Sequence, residues 1–225
     1  MTRPPILYSF RRCPYAMRAR MALSVSMQVY ELREVLLRDK PPELIEISSK
    51  ATVPVLDVPC LGVIEQSLDI MLWALNKNDP FGWITPEDRN LEDMLQLIKL
   101  NDGDFKYNLD RYKYPNRFSD LDNKEFRSEA QKFISKLDRL LAKNDYLFGK
   151  RPTLADYAIG PFIRQFINTD KEWFNSQSYT SLKRWFEKFA ENVIFIGIMG
   201  KYKVWEKNDA PVYISSLETE KLNGY

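Results

Sequence analysis

The sequence predicts two domains in series, a small α/β domain followed by an all-helical one. Three observations carry this reading. Ile6 to Leu36 hold a strand, a helix and a second strand, the length of a βαβ unit. Residues 78–87 then collect Asn78, Asp79, Pro80, Gly82 and Pro86, the composition of a linker. Beyond them the spacing of apolar residues changes to the helical period. The expected boundaries are 1–77 for the α/β domain, 78–87 for the linker and 88–225 for the helical domain.

Each element follows from a local signal. Ile6 to Phe10 is a short apolar run after Pro4-Pro5, as a buried strand would be. Pro14 suits the first turn of a helix, where its missing N–H costs nothing, and Ala16 to Val25 are rich in helix formers. Tyr30 to Leu36 reads as the second strand. Val53 to Leu56 and Leu61 to Ile64 read as two more, joined by a turn at Asp57-Val58-Pro59-Cys60. Ser67 opens an apolar helix, Leu68 to Leu75. After the linker, Leu91, Met94, Leu95, Ile98, Phe105, Leu109 and Tyr112 fall at helical spacings. So do Phe126, Ala130, Phe133, Ile134, Leu137, Leu140 and Leu141, and then Leu182, Trp185, Phe186 and Phe189. From about Glu206 the period is lost, and this tail is expected to wrap the surface.

Composition removes several function classes. With 44% hydrophobic and 28% charged residues, the 225-residue chain can bury a sizeable core. Its 33 basic and 31 acidic residues nearly cancel, which gives no push toward nucleic acid or an anionic membrane. Two cysteines, Cys13 and Cys60, cannot form a disulfide framework and suit a reducing compartment. No apolar run approaches the roughly 18 residues that span a bilayer. The opening MTRPPILYSFRRCPY lacks the pattern of a signal peptide, so a cytoplasmic location is expected. The chain contains no histidine, which excludes histidine triads, histidine bases and histidine zinc sites. No metal is expected, and the chemistry falls to cysteine, carboxylate, lysine, tyrosine or serine.

The segment LYSFRRCPYAMRARMAL resembles the start of glutathione transferases, where a strand delivers the catalytic residue to the N-terminus of the first helix. Its CPYA step is similar to the omega and related cysteine-type classes, and to glutaredoxins, whose second cysteine would fall at Ala16. ATVPVL at 51–56, EQSLDI at 65–70 and RPTLADYAIGPFIRQF at 151–166 follow in the family's order, so the resemblance covers essentially the whole chain. It implies a thioredoxin-like N-terminal domain, an all-α C-terminal domain, glutathione as co-substrate and a homodimer. It also implies a glutathione site at Cys13, Pro14, Lys40, Val53, Pro54, Gln66 and Ser67. The proline of Val53-Pro54 would be cis, with the backbone of Val53 pairing the cysteinyl part of glutathione.

The residue types suit that chemistry. An ordinary thiol, with a pKa near 8.5, is only about 3% ionised at pH 7. At a helix N-terminus, with Arg11 and Arg12 preceding, a stabilisation of roughly 3 kcal/mol would make the thiolate of Cys13 the majority form. With alanine at 16 there is no resolving thiol one helical turn away, so a second glutathione would resolve a mixed disulfide. Ser67 and the unpaired N–H groups of the helix it opens would bind a carboxylate. Thr153-Leu154-Ala155-Asp156 has the form of a capping box and reads as structural. DFKYNLDRYKYPNRF at 104–118 interleaves basic and aromatic residues, but the spacing of Phe105, Leu109 and Tyr112 reads as a packed helix face rather than a nucleic-acid surface. The resemblance puts Tyr107, Arg111 and Tyr15 at a second-substrate pocket. Tyr8, near the position of the catalytic tyrosine in other classes, reads as core or support.

The expected activity is glutathione-dependent thiol transfer or reduction by the Cys13 thiolate, on a small disulfide or electrophilic substrate. The alternatives are conjugation of glutathione to electrophiles, or a non-catalytic interaction protein on the same fold. No nucleic-acid or membrane partner is expected.

Overall fold

The computed structural model describes residues 3–118 and 123–215. Its contacts divide the chain into two compact units. One takes the chain up to Phe81 and resumes at Glu191; the other runs Gly82–Ala190.

The first unit is built on a mixed sheet in the order β4-β3-β1-β2-β5. The strands are β1 (Ile6–Ser9), β2 (Tyr30–Glu34), β3 (Val55–Val58), β4 (Gly62–Ile64) and β5 (Val212–Ile214). β1 runs parallel to β2, with Tyr8 beside Arg33 and Ser9 beside Glu34, and antiparallel to β3. The connection from β1 to β2 passes through α1 (Pro14–Val25), the βαβ unit read from the sequence. α2 (Pro42–Ile47) and α3 (Ser67–Lys77) complete the thioredoxin-like pattern, with α1 packed on α3. Successive strand residues face opposite sides of the sheet. Ile6, Tyr8 and Val55 join Val35, Leu44, Ala51 and Val53 in one core cluster, against which Cys13 packs.

The tail lies on the surface, and part of it is ordered there: Val212–Ile214 is an antiparallel edge strand on β2, and the backbone N–H of Trp205 donates to the carbonyl of Glu34 at 2.8 Å. α10 (Val193–Gly197) packs on α1. The described residues 191–215 therefore group with the N-terminal sheet, whereas the sequence assigns everything from 88 onward to the helical domain.

The second unit holds α4 (Leu91–Leu100), α5 (Lys106–Lys113), α6 (Asn123–Leu141), α7 (Leu154–Ile167), α8 (Lys171–Ser176) and α9, whose last residue lies at the unit boundary (Thr180–Glu191). Phe105, Leu109 and Tyr112 are buried as their spacing predicts, and the Phe105 ring meets Phe133 at 4.8 Å and Phe166 at 5.8 Å. A π-helical turn at Asn101–Phe105, kinked at Gly103, separates α4 from α5. The expected linker is only partly a linker: Trp83 is buried and stacks on Tyr157 at 3.8 Å.

Asp156 is the buried polar centre of this unit. Its carboxylate accepts from the Leu147 N–H at 3.0 Å, the Thr153 N–H and hydroxyl at 2.8 Å each, and the Trp185 indole at 2.8 Å. Burial pushes its carboxyl above the usual range, against the downward pull of these hydrogen bonds. The capping box thus extends into a junction that ties the start of α7 to α9.

Candidate active site

β1 ends at Ser9 and the chain turns at once. The N–H of Cys13 donates to the carbonyl of Phe10 at 3.0 Å, closing a turn with Arg11 and Arg12 at its centre. Cys13 then caps α1: its backbone is extended, its carbonyl accepts from Met17 at 2.9 Å, and Pro14 takes the first helical position. The thiol is half-buried, forms no disulfide and donates to the carbonyl of Val53 at 3.5 Å. The Val53–Pro54 bond is cis. Cys13, Pro14, Val53 and Pro54 are therefore brought together from β1–α1 and the approach to β3.

At α3 the geometry shifts by one residue from the sequence reading. Gln66 is the cap and is exposed, while Ser67 is the first helical residue and is buried. The Ser67 hydroxyl accepts from the Nε of Arg18 at 3.0 Å, which joins the start of α3 to α1. Lys40 is half-buried at the approach to α2, whose cap is Pro41.

The second-substrate candidates fall in different units. In the first, the Arg18 guanidinium lies 5.1 Å from the Tyr15 ring centre. In the second, Tyr107 and Arg111 lie on α5, with the Arg111 guanidinium 3.4 Å from the Tyr107 ring centre and 4.4 Å from that of Phe118. Tyr8 is buried, and its hydroxyl accepts from Arg33 at 2.7 Å. Burial pushes its phenol upward, which disfavours a phenolate there. Its ring meets Trp205 edge-on at 6.3 Å, and Arg33 stacks on the same indole at 4.1 Å. These contacts fit the supporting role.

Two family models match: the glutathione S-transferase N-terminal domain over residues 7–81 and the C-terminal domain over residues 111–188. Together they match more than half of the chain. The chain belongs to the glutathione transferase family. A search of curated proteins finds no match. Solved glutathione transferases share the fold. A family member from Pseudomonas fluorescens, described with two glutathione bound, is 20% identical, with a TM-score of 0.74 over 87% of this chain and 92% of its own. Glutathione S-transferase unclassified 2 from Bombyx mori is 16% identical, with a TM-score of 0.75 over 88% and 94%. Poplar glutathione transferase F1 is 15% identical, with a TM-score of 0.73 over 88% and 97%.

In this glutathione transferase, sequence reasoning passed over three charged residues that frame the site. Arg18 and Arg20 are buried in α1, and Glu34 is buried at the end of β2. Their signal was available: the two arginines interrupt Ala16, Met17, Ala19, Met21 and Ala22, a helix with no polar face to carry them. Cys60 is exposed in the turn after β3, at φ 64°.

Proposed function

We propose that the protein is a cytoplasmic, homodimeric glutathione-dependent thiol transferase with Cys13 as nucleophile. One observation carries the reading: a half-buried cysteine at the N-cap of α1, within hydrogen-bond range of the carbonyl before a cis-proline. The helix N-terminus favours a sulfur anion. Glutathione would lie along Val53 and Pro54, with its γ-glutamyl carboxylate at Gln66 and Ser67 and its glycine end toward Lys40. Tyr15, Tyr107 and Arg111 are proposed for the second substrate.

The Cys13 thiolate attacks the glutathione sulfur of a glutathionylated thiol. The old S–S bond breaks, the substrate leaves as a thiolate and takes a proton from solvent, and a Cys13–glutathione disulfide remains. A second glutathione thiolate attacks the glutathione sulfur of that disulfide. Oxidised glutathione leaves and the Cys13 thiolate returns. Ala16, fully buried where a resolving cysteine would stand, supports this monothiol route.

Glutathione-coupled reduction of hydroxyethyl disulfide tests the proposal. Cys13→Ser is expected to abolish the exchange. Exchange left intact in that variant would sink the mechanism, and a gain of conjugating activity toward an electrophile would favour the alternative reaction.

A further inference from the structure

The turn that presents Cys13 is gripped from both sides by buried ions. The N–H of Arg11 donates to Oε1 of Glu34 at 2.6 Å, and Nη2 of Arg20 donates to the carbonyl of Arg11 at 2.8 Å. Arg20 is 1% exposed and Glu34 is 7% exposed. Neither spends its whole capacity on this grip. Oε2 of Glu34 and both Nε and Nη1 of Arg20 have no hydrogen-bond partner among the described residues, nor has the neighbouring Ser9 hydroxyl. Burying two ions is costly, and a neutral pair could hold a turn as well. The use of charge here calls for a reason.

We propose that Glu34 and Arg20 are positioning residues for Cys13: they fix the Phe10–Cys13 turn through the backbone N–H and carbonyl of Arg11, and their opposite charges bias the Cys13 sulfur in opposite directions. Arg20 follows Cys13 by seven residues, two turns along one face of α1, and its side chain reaches back to the turn. Charged and titratable groups acting on Arg20 are Tyr30 and Glu34 of β2, Cys13 itself and Tyr202 of the tail. Those acting on Glu34 are Arg11 and Arg20. Burial pushes the Glu34 carboxyl up and the Arg20 guanidinium down, which disfavours both charges; their mutual attraction and the Arg11 N–H on Glu34 act against this.

The inference builds on Cys13 as the reactive group, and its test separates the two claims. In a Cys60→Ser background, the rate of Cys13 alkylation by iodoacetamide is followed against pH. Glu34→Gln keeps an oxygen for the Arg11 N–H and removes the negative charge, so the midpoint is expected to move down. Arg20→Met removes the positive charge and is expected to move it up. Arg20→Lys keeps the charge and is expected to stay near the unmodified protein. Both charges meet the turn that presents Cys13, and removing either is expected to change the rate below the midpoint by about twofold to tenfold. Midpoints of Glu34→Gln and Arg20→Met that move together, or either one staying at the starting value, overturn the inference, because a purely structural role has no sign. Should Arg20→Met fail to fold, Glu34→Gln and Arg20→Lys decide alone: a fixed Glu34→Gln midpoint, or a raised Arg20→Lys midpoint, overturns it. A starting midpoint at the ordinary thiol value counts against the proposed function, while the displacements between variants still judge this inference.

Discussion

Replacing Asp156 by alanine tests how the helical unit is held. The substitution removes the acceptor of the Leu147 N–H, the Thr153 N–H and hydroxyl, and the Trp185 indole, all within 3.0 Å. The hydroxyl can rotate to another partner; the three N–H donors cannot. A buried donor left unsatisfied costs about 1–3 kcal/mol. Releasing a desolvated carboxylate returns part of that sum, so the net loss is about 3–5 kcal/mol. This is a large share of the about 5–15 kcal/mol that a folded protein has. Thr153→Ala removes one hydroxyl bond and is expected to cost only about 1 kcal/mol. Urea denaturation followed by tryptophan fluorescence measures both. The titration adds a sign. The folded carboxyl sits above its unfolded value, so the stability it contributes is fully present below about pH 4. That stability falls as pH rises toward the folded value, and the gap between the two proteins narrows with it. A loss below about 1 kcal/mol in Asp156→Ala, or a gap that widens with pH, would refute the reasoning.

Two further substitutions reach other parts of the molecule. Ser67→Ala removes a hydroxyl at the start of α3 that also accepts from the buried Arg18, and is expected to weaken glutathione binding about fivefold to thirtyfold by calorimetry and to cost about 1–3 kcal/mol of stability. An unchanged affinity would remove Ser67 from the site. At Gly160 of α7 an added Cβ would lie 2.5 Å from Cε2 of Phe189, a buried ring carried by α9. Gly160→Ala is therefore expected to destabilise by about 1–3 kcal/mol in urea despite the better helix propensity of alanine; a stabilised variant would show that the ring moves freely.

Much of this was legible from local pattern. Pro14 after Cys13 marks the start of α1, and the period of Phe105, Leu109 and Tyr112 identifies a packed face, because these signals need only near neighbours. Boundaries moved where two local rules compete. Val53 and Pro54 read as strand, but proline has no N–H for the ladder, and β3 begins at Val55. Ser67 looks like a cap by residue type, yet its hydroxyl is engaged by Arg18 and Gln66 takes the cap. Long-range partnerships were not legible. β5 has three residues, too few to show a period, and its partner strand lies near the other end of the chain. The clamp on Arg11 joins Glu34 and Arg20, which no short window of sequence contains.

The returning tail has a consequence for synthesis. The ribosome delivers β1 to β4 first, then the whole of Gly82–Ala190, and only afterwards the strand that covers β2. Until then the row of N–H and C=O groups along β2 lies open to pairing with another nascent chain. A product terminated before Trp205 would keep both helical and thioredoxin-like parts but leave that border bare, and its failure would be seen as aggregation rather than as lost chemistry.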